Sequence, residues 1–224
     1  MARPPEPDKR LELAQRATEI LAREGIGIPA ARLAEALGIK RPTLLYHFPN
    51  YSHIVESALE ALLMEQAVYV ISRVEEHTHP IDRLVAQIRA AHGFHEGREA
   101  RIVFLSQAIA ATAGERMADI IEVGNRVFEP YRRASVERLT QGMRDGTVAP
   151  CDPDAVVALV RAVTDGLLVQ RVMTGVKLAP VHDLLESLLG TLKIRRASAA
   201  SKARGASARP THRARRPSTK EMAR

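Results

Sequence analysis

Lys40, Arg41, Thr43 and His47 have the residue types and the spacing to read a nucleic acid. Arginine can donate two hydrogen bonds to a guanine edge, and a threonine methyl can meet thymine. They lie in the run Pro-Ala-Ala-Arg-Leu-Ala-Glu-Ala-Leu-Gly-Ile-Lys-Arg-Pro-Thr-Leu-Leu-Tyr-His-Phe, residues 29–48. The run predicts two short helices. Leu33, Ala34 and Leu37 recur at helical spacing and give the first an apolar face. Gly38 can adopt the left-handed conformation that ends a helix and turns the chain. The second helix can start at Pro42, where a missing N–H costs nothing. Leu44 and Phe48, four apart, face inward, leaving a basic, hydrogen-bonding front that fits a major groove. Short helix pairs with a glycine turn also occur in helical proteins that bind no DNA, so the pattern alone is a hypothesis.

Other constellations offer less. His92 and His95, with Glu96 adjacent, share one helical face, as a metal site requires. No third or fourth ligand stands near them, so they are expected to edge a cavity or bond the backbone, and no metal or cofactor is assigned. His77 and His79 read as solvated loop residues. Cys151 is the only cysteine; it allows no internal disulfide, fits a reducing cytosol and reads as an inert thiol. There is no glycine-rich phosphate loop, no Gly-x-Ser-x-Gly elbow and no paired-carboxylate motif, which argues against an enzyme.

The elements that must position these residues are all helical. The chain has 224 residues, 46% hydrophobic and 4% aromatic, without tryptophan. That suffices for one large domain or two small ones with a core of Ala, Leu, Val and Ile. Residues 195–224 hold ten Lys or Arg and one acid, leaving 23 basic and 25 acidic side chains elsewhere. The basic balance therefore lives in one segment, read as a disordered tail because it lacks apolar periodicity. Residues 1–8 read as a disordered proline-rich arm. Apolar periodicity predicts helices at 9–24, about 51–75, from about 80 through His95, around 102–109, about 115–144 with a kink at Pro130, Pro153 to Gly175, and about 180–193. Asp152 is the expected N-cap of the helix at Pro153. No run is apolar and long enough to span a membrane, and no signal peptide opens the chain, so a cytoplasmic setting is expected.

Residues 9–55 resemble the N-terminal DNA-binding domain of the TetR family of bacterial transcriptional regulators. The resemblance rests on Gly25, Leu33-Ala34, Leu37-Gly38-Ile39, Pro42-Thr43-Leu44, Tyr46-His47-Phe48 and Ile54-Val55. Three positions depart from the family pattern: Leu45 replaces an aromatic, Tyr51 replaces a phosphate-binding lysine, and Ile28-Pro29 replaces a hydroxyl N-cap. Beyond residue 60 the likeness is one of layout. It implies an all-α protein with a helix-turn-helix domain at 9–55 and a helical effector-binding and dimerisation domain at 56–194. It implies a homodimer on palindromic operator DNA, repressing until a small molecule binds. On that basis Lys40, Arg41 and Thr43 are expected to touch base edges. Arg32, Tyr46, His47 and Tyr51 are expected to touch phosphates. An apolar effector pocket is expected among His92, Phe104, Gln107, Met117, Phe128, Tyr131, Thr164 and Gln170. The last two stand out as polar groups in an apolar helix. The two apolar C-terminal helices are expected to pair with those of a second copy through Val160, Leu168, Leu185 and Leu188. An effector would act by changing the spacing of two recognition helices, which must match one DNA turn of about 34–36 Å. The rival reading is a structural DNA-compacting protein that uses the basic tail, which could bind any duplex.

Overall fold

In the computed structural model, the structure describes residues 7–111 and 117–194, except for the side chains of 117–121 and 123. Among the described residues nine helices and no strand are found: α1 (Pro7–Glu24), α2 (Ala30–Ala36), α3 (Arg41–His47), α4 (Tyr51–Val74), α5 (Pro80–Phe94), α6 (Glu99–Ala111), α7 (Met117–Arg144), α8 (Pro153–Thr174) and α9 (Leu178–Gly190). Residues 1–6, 112–116 and 195–224 lie outside the described residues, and with them most of the expected arm, the expected helix start at about 115 and the basic tail.

Local chemistry sets most helix ends. Asn50 accepts from the His53 N–H at 3.0 Å and caps α4, satisfying one of the orphan donors every helix start carries. Asp152 does the same for α8 through Ala155 N–H at 3.1 Å, with Pro153 in the first turn. Gly175 closes α8 at φ 67°, a left-handed conformation that disfavours other residues. Pro130 lies inside α7.

Several ends differ from the periodicity. α3 begins at Arg41, so Lys40 occupies its N-cap. His79, expected as a solvated loop residue, caps α5: its Nδ1 accepts from Ile81 N–H at 3.1 Å and its Nε2 lies 3.2 Å from the Thr147 carbonyl. α9 stops at Gly190, short of the expected Lys193. The next residues instead pair with the α7–α8 loop, through Ala149 N–H to Leu192 O at 2.8 Å and Ile194 N–H to Thr147 O at 2.9 Å.

Two apolar clusters hold the helices. The first joins Leu13, Leu21, Leu33, Leu37, Leu44 and Phe48 to Ile54, Leu59 and Leu62 of α4, and continues into Phe104, Ala108 and Val127 of α6 and α7. The second joins Ile81, Leu84 and Ile88 of α5 to Leu139, Val148, Val157, Val160 and Leu189. The expected boundary at residue 55 falls inside α4, which contributes to both the N-terminal head and the body.

Candidate functional site

The N-terminal site is a helix pair on an apolar seat. Gly38 takes φ 72°, and the Gly38 and Ile39 N–H groups bond Glu35 O and Ala34 O at 2.9 and 3.0 Å. This closes the turn. Leu33, Leu37, Leu44 and Phe48 are buried beneath it. Arg16 donates to the Leu37 carbonyl at 2.6 Å, satisfying an acceptor at the end of α2. Arg10 lies over the Phe48 ring at 5.5 Å and donates to Ser57 at 3.1 Å. Sequence reasoning gave neither arginine a role.

Lys40, Arg41, Thr43 and Tyr46 are exposed together on the outer side of α3. Arg32 is exposed on α2, but Glu24 and Glu35 hold it at 3.3 and 3.1 Å. Two expected phosphate ligands are placed differently. His47 is buried, its ring edge-on to Tyr46 at 5.2 Å and its Nδ1 enclosed without a partner. The reason is helical phase: three residues after Leu44, it falls on the inward side. Tyr51 is half-buried with its hydroxyl enclosed, and that burial pushes its pKa up.

In the body, a cavity of about 180 Å³ opens among α4, α5, α7 and α8. Ala67, Val70, Ile71, Val74, Ala91 and Phe128 form its apolar wall, and Gln66, Arg83, Ser135, Arg138 and Arg161 are among its polar groups. Of the expected pocket residues, Phe128, Tyr131 and Thr164 line it. The Thr164 hydroxyl donates back to Val160 O at 2.7 Å. The others do not. Phe104 is fully buried in the cluster beneath the head. Gln107 and Gln170 are exposed; Gln170 lies off the inward stripe of α8, so it is not the buried polar group expected. The Met117 side chain lies outside the described residues.

His92 faces away from this cavity. Its Nε2 meets the Thr164 carbonyl at 2.9 Å, and its Nδ1 lies 2.7 Å from His182 Nε2 with the rings stacked. A carbonyl only accepts, so His92 Nε2 carries the proton, Nδ1 accepts, and His182 donates. Burial, first among the causes, lowers both pKa values, in keeping with this neutral pair. The partner, His182, is 90 residues away in the chain and carried no local signal. His95 is fully buried with neither ring nitrogen partnered, and desolvation, then Arg101, lowers its pKa to about 4. No group of three or more potential metal ligands occurs among the described residues. Arg101 is a buried cation on α6, paired with Glu19 of α1, bonded to Glu65 of α4 at 3.3 Å and lying over Phe94 at 5.3 Å. Cys151 contacts Met143, and burial raises its thiol pKa.

The C-terminal helices carry two kinds of apolar residue. Val157, Val160, Thr164 and Leu168 form the inward stripe of α8. Val160 and Leu168, expected at a dimer interface, are therefore enclosed within this chain. Leu185 is half-buried against the second cluster. Leu159, Val169, Val172 and Met173 of α8 and Leu184 and Leu188 of α9 are instead exposed, Met173 to 73% and Leu184 to 59%. No helix among the described residues is long and apolar enough to cross a membrane.

No protein-family model matches the chain. The transcriptional repressor KstR2 of Mycolicibacterium smegmatis is 26% identical over 158 residues, 70% of this chain and 76% of that protein. The nucleoid occlusion factor SlmA of Aliivibrio fischeri is 24% identical over 191 residues, 83% of this chain and 95% of that protein. Among solved structures, a Rhodococcus sp. regulator assigned to the TetR family superposes with a TM-score of 0.69 at 16% identity, covering 82% of this chain and 98% of the other. The regulator FadR of Bacillus subtilis, solved with stearoyl-CoA, gives 0.67 at 15% identity, covering 80% and 96%.

Proposed function

We propose that this chain, a member of the TetR family, is a homodimeric DNA-binding transcriptional regulator, a repressor released from its operator by a small molecule. The observation that carries the reading is the outer side of α3. Lys40 and Arg41 form no ion pair among the described residues, and with Thr43 they stand exposed on a helix whose other side is locked by Leu44 and Phe48. A rigid, unneutralised basic front is suited to base edges. Tyr46 and Arg32 are the phosphate ligands of this reading, Arg32 after leaving its glutamates. His47 and Tyr51 act from below, as seats for α3 and α4.

The exposed apolar residues of α8 and α9 support a homodimer, since large uncovered aliphatic side chains favour a partner surface. Leu184 and Leu188 replace Val160 and Leu168 at its centre. The two-fold assembly would set two α3 helices on a palindromic site. The cavity between α4, α5, α7 and α8 is the effector site. KstR2, a repressor, and FadR, solved with an acyl-CoA, support a regulator that answers to a ligand.

Selection of bound duplexes from a random pool tests this. The expected product is a two-fold related sequence that random DNA displaces poorly. A compacting protein would enrich nothing, and random duplex would compete as well as any site, which would overturn the reading.

A further inference from the structure

The charge balance of the body cavity indicates what kind of molecule fits it, on the premise that it is the effector site. Arg161 is answered internally: it bonds Asp165 at 2.5 Å and lies over Phe128 at 4.2 Å. Arg83 and Arg138 are not. Arg83 gives one terminal nitrogen to the His77 carbonyl at 2.7 Å, while its Nε is enclosed without a hydrogen-bond partner. Arg138 has no hydrogen-bonded acid among the described residues. Burial, and after it the charge of Arg83, pushes its pKa below the ordinary value, against the opposing pull of Glu137 and Glu75.

Two guanidiniums thus share the cavity lining with one unengaged acid, Glu75. Arginine does not give up its proton in a protein, so both stay charged, with Glu75 the one unengaged acid set against them. The apolar part of the wall is formed by Val70, Ile71, Val74 and Phe128, beside the neutral polar groups Gln66, Gln87, Tyr131, Ser135 and Thr164. Its volume of about 180 Å³ equals roughly six waters at ~30 Å³ each, which sets the scale of the occupant at a few heavy atoms.

We propose that the cavity binds a small, apolar monocarboxylic acid as its anion, the carboxylate held by Arg83 and Arg138 and the hydrocarbon body against Val70, Ile71, Val74 and Phe128. The planar guanidinium fork matches a carboxylate with two parallel hydrogen bonds. Two arginines against Glu75 leave one net positive charge, which a monoanion cancels. A phosphate monoester, with a charge of about −1.5 to −2, would leave excess negative charge.

Calorimetric titration of the full chain tests this, using the straight-chain acids from propanoate to hexanoate, the alcohols of matching length and the alkyl phosphates. At least one acid should bind saturably, raise the melting temperature and release the operator. Its alcohol and its phosphate analogue should bind about tenfold or more weakly, as should the acid to Arg138→Gln, a substitution at an exposed position. Ser135→Phe and Ala91→Leu, which add bulk to the cavity from α7 and α5, should each block the acid. If alcohol and acid bind alike, both are blocked by the filling variants and Arg138→Gln is silent, the charge inference is overturned while the cavity stands as a ligand site. A preferred phosphate overturns it in the same way. If nothing in the series binds, or the filling variants leave binding intact, the inference falls together with the effector site on which it rests.

Discussion

His95 gives the fold a pH dependence that can be worked out before it is measured. Its ring is fully enclosed, neither nitrogen has a partner, and its pKa is lowered to about 4 from the ordinary 6.5. Burial disfavours the charged form, and Arg101, Arg171 and Arg98 place positive charge near it. The unfolded chain therefore binds a proton near pH 6.5 that the folded chain refuses until about pH 4. Between these values the unfolded state holds more protons, so stability rises with pH. The contribution is complete above pH 6.5 and is lost as pH falls toward 4. From pH 7.5 to pH 5 the linkage relation gives a loss of about 2 kcal/mol from this one group. Replacing His95 by Leu removes the titration and leaves no orphaned polar atom. Urea unfolding of both proteins at pH 7.5 and pH 5 should show His95→Leu losing about 2 kcal/mol less than the parent across that interval. The His92–His182 pair is common to both proteins. Equal losses in parent and variant would refute the enclosure of His95.

Three further outcomes are expected. Arg41→Ala should weaken operator binding by about 1–3 kcal/mol and relax preference at one position per half-site; an equal loss on every sequence in a binding assay would reduce Arg41 to a phosphate contact. Leu184→Glu combined with Leu188→Glu should give a folded monomer by light scattering that binds the operator poorly, because both side chains are exposed in the single chain; a surviving dimer would place the interface elsewhere. Arg101→Met removes a cation shared by Glu19 and Glu65, whose own side chains are about half exposed. Screening at those acids limits the cost to about 1–3 kcal/mol, read as a fall in melting temperature, and an unchanged melting temperature would show that the triad contributes nothing.

Legibility followed sequence distance. The helix-turn-helix could be read because its determinants, Leu33, Leu37, Gly38, Leu44 and Phe48, all lie within one short run and obey one period. His47 obeys the same period and falls inward with Leu44, although its polar ring suggests an outward contact. On α8 the inward stripe Val157, Val160, Thr164 and Leu168 is a regular helical repeat, but the helix is apolar on its outer side too. The sequence thus could not say which stripe faced the chain's own core, and Val160 and Leu168 were assigned to the wrong side. His182 against His92, and Arg101 against Glu19, join residues that only tertiary packing brings together. The cation-rich rim of Arg83 and Arg138 was invisible for the same reason, since they come from α5 and α7.

The reach of α4 has a mechanical consequence. Tyr51, at its start, adjoins the seat of α3, while Val70, Ile71 and Val74, near its end, line the cavity. At 1.5 Å of rise per residue, the span from Tyr51 to Val70 is about 28 Å. On the proposed reading the helix is a lever with the effector cavity at one end and the DNA-reading head at the other. A pivot of about 5° would carry the head through about 2.5 Å, comparable with the 3.4 Å step between neighbouring base pairs along one strand. Arg101, which ties α1 and α4 to α6 near mid-length, sits where a fulcrum would be. On that reading, a rearrangement of a few degrees at the cavity is large enough, at the far end, to put the recognition helix out of register with its groove.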